Sequence, residues 1–311
     1  MSKNLVERLS SADRVLLFLP GGGAKAIYQF GLCVGLNLVD VDMSRIAAVV
    51  GSSAGALVGT CLVSGLESLI SGAVASIKGA REKSYYRATR WWRPADIGPV
   101  VSNTEISELN VRSSICEVRL VATNSRTGVT TLIDPRQAPD IHHAIQAACR
   151  LPGVAFTQPI KIGDQSFFDG DVCSWYPAEA IWCELGYLNF TDVLVIECEP
   201  VHRLPTVSRL EALAVKFAFR WHPRVAESYL KRAVKTVEGH ERLRNWPGAE
   251  FSELRPPQKE IGPLTTDPHL MLEAFNESML KVVDIFGKPN LVAEVRRITS
   301  EVARLAGIVY L

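Results

Sequence analysis

The chain has 311 residues, 47% of them apolar, enough to bury a substantial core. Its 34 basic and 33 acidic side chains nearly cancel, so the overall balance gives no reason to expect nucleic acid as a partner. The seven cysteines are odd in number and contain no CxxC pair, which argues against a disulfide framework or a zinc site and for a reducing, cytoplasmic setting.

Val15 to Leu19 is a continuous apolar run stopped by Pro20 and three glycines, the pattern of a strand buried on both faces. The apolar stretch there is too short for a secretory signal, and none is expected. Ile27, Phe30, Val34 and Leu38 recur at helical spacing, and Ile46 to Val50 is again a β-branched run, so a βαβ unit is expected. Gly51-Ser52-Ser53-Ala54-Gly55 then turns into a helix from Ala56 to Leu66 that is small or apolar on every side. Although Ile46 to Leu66 carries no charge, its glycines and hydroxyl residues divide it into strand, turn and buried helix, and no membrane span is expected.

Further along, Glu117 to Asn124 and Val129 to Ile133 read as strands, and Asp140 to Cys149 reads as a helix. Ile160 to Ile162 and Ser166 to Phe168 flank Gly163-Asp164 as a hairpin that delivers Asp169. Pro177 to Leu185 reads as a helix and Val193 to Glu197 as a strand. Val207 to Glu238 and His269 to Ala306 read as mainly helical, with a last strand at Phe251 to Leu254. The alternation implies a three-layer α/β/α fold with a largely parallel sheet, extra helices at the C-terminal end and no clear domain boundary.

Ser53 has the glycine flanks of G-x-S-x-G, which place a serine on a sharp strand-to-helix turn where the helix N-terminus favours developing negative charge. Gly21, Gly22 and Gly23 lie one βαβ unit upstream, so a right-handed crossover brings both loops to one edge of the sheet. Their N–H groups can converge on one oxygen. Gly21-x-Gly23-x-x-Ala26 also matches a dinucleotide fingerprint, but the acidic residue expected after the second strand is missing. Asp169, beside Gly170, is a candidate base for Ser53 and equally a turn cap. No acidic cluster resembles a calcium loop, and no metal or cofactor is expected.

Taken in order, Gly21-Gly22-Gly23-Ala24-Lys25, Gly51-Ser52-Ser53-Ala54-Gly55 and Asp169-Gly170 resemble the patatin-like phospholipase family. The segment from Ala147 to Pro177 is similar to that family's approach to its aspartate, and the resemblance spans about Val15 to Glu199. It implies hydrolysis of phospholipid or other acyl-ester lipids by a Ser53/Asp169 dyad, with the glycine loop as oxyanion hole. It also implies a positive charge at Lys25 that serves the lipid phosphate. Three residues depart from the family's pattern: Ala26, Asp171 and Trp175. Asp171 sets a second carboxylate near Asp169, which would shift the base's pH range or mark an inactive lipid-binding relative. The rival reading is an α/β-hydrolase triad with His202 or His240 as base.

Two basic stretches suit peripheral membrane contact. Lys78 to Arg93 interleaves six basic residues with Tyr85, Tyr86, Trp91 and Trp92, and Lys216 to Lys235 includes an amphipathic segment from Val225 to Val237.

Overall fold

The computed structural model describes residues 2–82, 97–151, 158–200, 207–257, 261–263 and 265–309. Helix α1 (Ser2–Ser11) precedes strand β1 (Val15–Leu19), and the glycine loop leads into α2 (Ala26–Leu38). Strand β2 (Ile46–Ser52) turns at Ser53 into α3 (Ala54–Ser64), and α4 (Leu66–Arg81) follows a break at Gly65. The short helices α5 (Gly98–Ser102) and α6 (Glu108–Ser113) come before β3 (Glu117–Asn124), β4 (Thr130–Ile133) and α7 (Ile141–Ala148). Next come the hairpin β5 (Ile160–Ile162) and β6 (Gln165–Asp169), helix α8 (Ala178–Leu185) and strand β7 (Asp192–Ile196). The last third holds α9 (Arg209–Ala218), α10 (Pro223–Leu230), α11 (Arg232–Arg244), β8 (Glu250–Leu254), α12 (Pro268–Ile285) and α13 (Val292–Ala306).

Strands β3, β2, β1, β7 and β8 lie side by side in parallel, and β4 and the β5–β6 hairpin add antiparallel pairs. Along β1, Leu17 and Leu19 pack with α2, α3, α4 and α12, whereas Leu16 and Phe18 pack with Ile181 and Leu185 of α8 and Leu243 of α11. Helices thus cover both faces, which is why the central strands are unbroken apolar runs instead of alternating ones. This is the expected α/β/α architecture. The last part of the chain belongs to it intimately: β8 extends the sheet beside β7, and α12 lies against α2. That approach needs glycine, since a Cβ at Gly35 would stand 2.8 Å from Cβ of Val282.

The uncharged run after Ile46 is β2 and α3, and among the described residues no helix is long and apolar enough to cross a membrane. The amphipathic segment from Val225 to Val237 differs from its reading as one helix, because α10 and α11 meet at Lys231. Its apolar members Val225 and Tyr229 turn inward onto Phe168 and Phe219, and of its basic side chains only Lys231 is left to solvent, Arg232 being paired with Glu211 and Lys235 half-buried. Helices α1, α4, α5 and α6 were not among the expected elements. Of the basic-aromatic segment 78–93, only residues 78–82 are described. There Arg81 bonds the carbonyls of Ala306 and Gly307 at the end of α13, each at 2.9 Å.

Candidate active site

The site is built where two strands meet end to end along one edge of β3. One edge pairs with β4 over Leu120 to Thr123. The other takes β2 up to Ser52 opposite Val121, and then β6, arriving from the opposite direction, with Asp169 opposite Ala122. Consecutive residues of β3 therefore set the ends of β2 and β6 against each other. Ser53 and Asp169, 116 positions apart in the chain, meet there: Ser53 Oγ donates to Asp169 Oδ2 at 2.7 Å in a buried setting.

Ser53 sits on the turn with φ 50° and ψ −128°, a left-handed conformation rarely adopted by residues with a side chain. Such strain costs on the order of 1–3 kcal/mol and persists only where the surroundings hold it. Cys149 Sγ bonds the Ser53 carbonyl at 2.8 Å, and α3 begins at the next residue. Asp169 is equally fixed. Its N–H donates to the Arg150 carbonyl at 3.0 Å, its carbonyl accepts from Thr123 Oγ1 at 2.9 Å, and its Oδ1 accepts from the Asp171 N–H at 2.9 Å.

Burial, reinforced by the neighbouring Asp171 carboxylate, pushes the Asp169 carboxyl well above the usual carboxylate range. Asp171 is itself raised to about 6 by burial, against the pull of its hydrogen bond from Ser52 and of the nearby Arg232 guanidinium. The Ser52 hydroxyl donates to Asp171 Oδ1 at 2.6 Å, so the departure at position 171 is tied into the serine turn itself. Sequence reasoning assigned no role to Ser52, Cys149 or Arg232. Only the doubled serine of the turn hinted at one of them.

The glycine loop lies beside this pair because Leu19 of β1 stands opposite Gly51 of β2. Gln29 of α2, fully buried, anchors the loop by donating from Nε2 to the carbonyls of Pro20 and Ile196 at 2.9 and 2.8 Å. Cys198 Sγ bonds the Gly21 carbonyl at 3.1 Å, and Ala24 N–H bonds the Pro263 carbonyl at 2.9 Å. The N–H groups of Gly22 and Gly23 have no hydrogen-bond partner among the described residues. Gly21 packs so tightly that a Cβ there would stand 2.6 Å from Cβ of Ser53 and collide with Asp171 Oδ2.

Lys25, expected near the anionic end of a substrate, forms a part-buried ion pair with Glu199 just beyond β7. His240 bonds Glu253 at 2.7 Å, while His142, His143 and His222 lie near backbone carbonyls of Thr104, Lys161 and Ser125. His202 lies outside the described residues. An apolar cavity of about 50 Å³ opens beside Ser53 and the glycine loop, walled by Phe30, Leu57, Ile97, Val100 and Leu151.

A strained serine at a strand-to-helix turn is thus bonded to a buried carboxylate at the carboxyl ends of a parallel sheet, and no histidine among the described residues takes part in the pair. The patatin-like phospholipase family model matches residues 17–182, more than half of the chain, and the chain belongs to that family of lipid acyl hydrolases. The crystal structure of VipD from Legionella pneumophila is similar at 13% identity and a TM-score of 0.40, over 88% of this chain and 67% of that one. No curated protein matches the sequence.

Proposed function

We propose that the whole chain works as one lipid acyl hydrolase in which Ser53 is the nucleophile, Asp169 the base and the loop Gly21 to Gly23 the oxyanion hole. The observation that carries this is the 2.7 Å hydrogen bond from Ser53 Oγ to Asp169 Oδ2. A serine hydroxyl attacks an ester carbon only if a positioned group takes its proton, and a carboxylate whose conjugate acid is weakened is a stronger acceptor. In the first step Ser53 Oγ bonds to the acyl carbon and its proton passes to Asp169. The oxyanion accepts from the free N–H groups of Gly22 and Gly23. Asp169 then returns the proton to the leaving alcohol oxygen, and water repeats the sequence to release the fatty acid.

The apolar walls beside Ser53 suit an acyl chain. At about 50 Å³ the cavity is far below the roughly 300 Å³ of an open ligand site, so the chain enters only as those walls part. Lys25 supplies a cation at the loop, and its ammonium carries three donors, so the Glu199 pair leaves some for a lipid phosphate.

A fluorophosphonate probe tests the reading. Wild type is expected to be labelled, with Ser53→Ala and Asp169→Ala unlabelled although folded. Labelling that survives Ser53→Ala would overturn the assignment, and a folded wild type that takes no label would make the chain a lipid-binding relative without turnover.

A further inference from the structure

We propose that the outer face of α9 and the turn after it form a docking surface for an anionic lipid bilayer. The proposal rests on the hydrolase reading only in choosing lipid as the partner, and adds that the substrate is met as a membrane.

Leu210, Leu213, Phe217 and Trp221 recur at helical spacing and are 81%, 66%, 61% and 78% exposed. This is an amphipathic helix turned inside out relative to a core-facing one. Its other face is the packed one, with Val215 and Phe219 buried against Phe168, the residue before Asp169. The Phe219 and Phe168 rings meet edge to face at 5.3 Å. The exposed stripe is thus the outer surface of the layer that supports the candidate base.

Charge decides between partners. Arg209, Lys216 and Arg220 border the stripe and are exposed. The Arg220 guanidinium lies 4.8 Å from the Phe217 ring centroid and 5.4 Å from that of Trp221, which sets the cation at the level of the aromatic rings. The one acidic residue of α9, Glu211, is drawn away, accepting from Tyr229 Oη at 2.7 Å and from Arg232 at 3.0 Å. Apolar and aromatic side chains flanked by cations, with the one carboxylate of α9 turned away, match the depth profile of an anionic headgroup layer over acyl chains. Tryptophan is the residue most at home at that boundary.

The test is cosedimentation with phosphatidylcholine vesicles, with and without phosphatidylglycerol, alongside hydrolysis of a soluble short-chain ester. Wild type is expected to bind the anionic vesicles, and to bind pure phosphatidylcholine or anionic vesicles in about 0.5 M salt about tenfold or more weakly. Leu213→Glu with Phe217→Glu is expected to lower anionic-vesicle binding by about tenfold or more. Ester hydrolysis should stay at the wild-type rate. If that pair fails to fold, Leu210→Ser with Trp221→Ser should show the same loss. Wild-type binding by a folded variant, or no vesicle binding by wild type, overturns the proposal. Lipid-free dimers abolished by the same substitutions would assign the face to a second copy of this chain and also overturn it. Vesicle binding with no ester hydrolysis in wild type would instead defeat the catalytic reading and leave the docking surface standing.

Discussion

Replacing Gly21 with alanine adds one methyl group at the most crowded point of the site. Its carbon would stand 2.6 Å from Cβ of Ser53 and would also collide with the Asp171 carboxylate. Relief by moving Asp171 alone is blocked, because that carboxylate is held by the Ser52 hydroxyl at 2.6 Å. Carbon atoms rest at about 3.5–4.0 Å, so the glycine loop and the serine turn must separate by roughly 1 Å. A displacement of that size between nucleophile and partner costs on the order of 10²-fold in rate, and overpacking costs about 1–3 kcal/mol of stability. Steady-state hydrolysis of a short-chain ester and urea denaturation read the two effects separately. Gly163→Ala is the control: its φ is +58°, nothing lies within 4 Å, and it should lose about 1 kcal/mol with no change in rate. Wild-type turnover and stability in Gly21→Ala would refute the packing on which the candidate site is built.

Asp171→Asn removes one of the two causes that raise Asp169, so Asp169 ionises at lower pH and the rising limb of kcat/KM against pH should move down. A limb that stays in place or moves up would dismiss the coupling. Glu197 accepts a hydrogen bond from Tyr176 Oη at 2.7 Å, and burial pushes its carboxyl up to about 7. Above its unfolded value the unfolded chain releases that proton first, so the stability it contributes at low pH is lost as pH rises through about 7. Glu197→Gln keeps an acceptor for Tyr176 and should gain roughly 1–3 kcal/mol over wild type at pH 8 but little at pH 4, by chemical denaturation at both. Lys25→Ala breaks the ion pair with Glu199. If Lys25 also serves the lipid phosphate, kcat/KM should fall about tenfold more for a phospholipid than for a neutral acylglycerol. An equal fall on both substrates would reduce Lys25 to an anchor of the loop.

Much of the fold was legible in the sequence because its signals are local. The apolar run Val15 to Leu19 before three glycines, and the run Ile46 to Val50 before Gly51-Ser52-Ser53-Ala54-Gly55, each carry strand, stop and turn within about ten residues. The same holds for the Gly163-Asp164 hairpin that delivers Asp169. Short helices such as α5 and α6 escaped because so few residues establish no period. Helix α1 escaped because its ten residues carry only Leu5, Val6 and Leu9 as apolar members, too few to establish a period.

Ser53 and Asp169 could be named as candidates from their flanking residues alone, since backbone conformation at a tight turn is dictated by its immediate neighbours. Their meeting could not, because it depends on β2 and β6 abutting along one edge of β3, a register set by packing over more than a hundred residues of chain. The same is true of Asp171 reaching Ser52 and of Lys25 pairing with Glu199. Composition along α9 likewise leaves open which way the helix turns. Only the burial of Val215 and Phe219 against Phe168 puts Leu213 and Phe217 on the outside, because a helix has one orientation that fills the core and tertiary contact alone selects it.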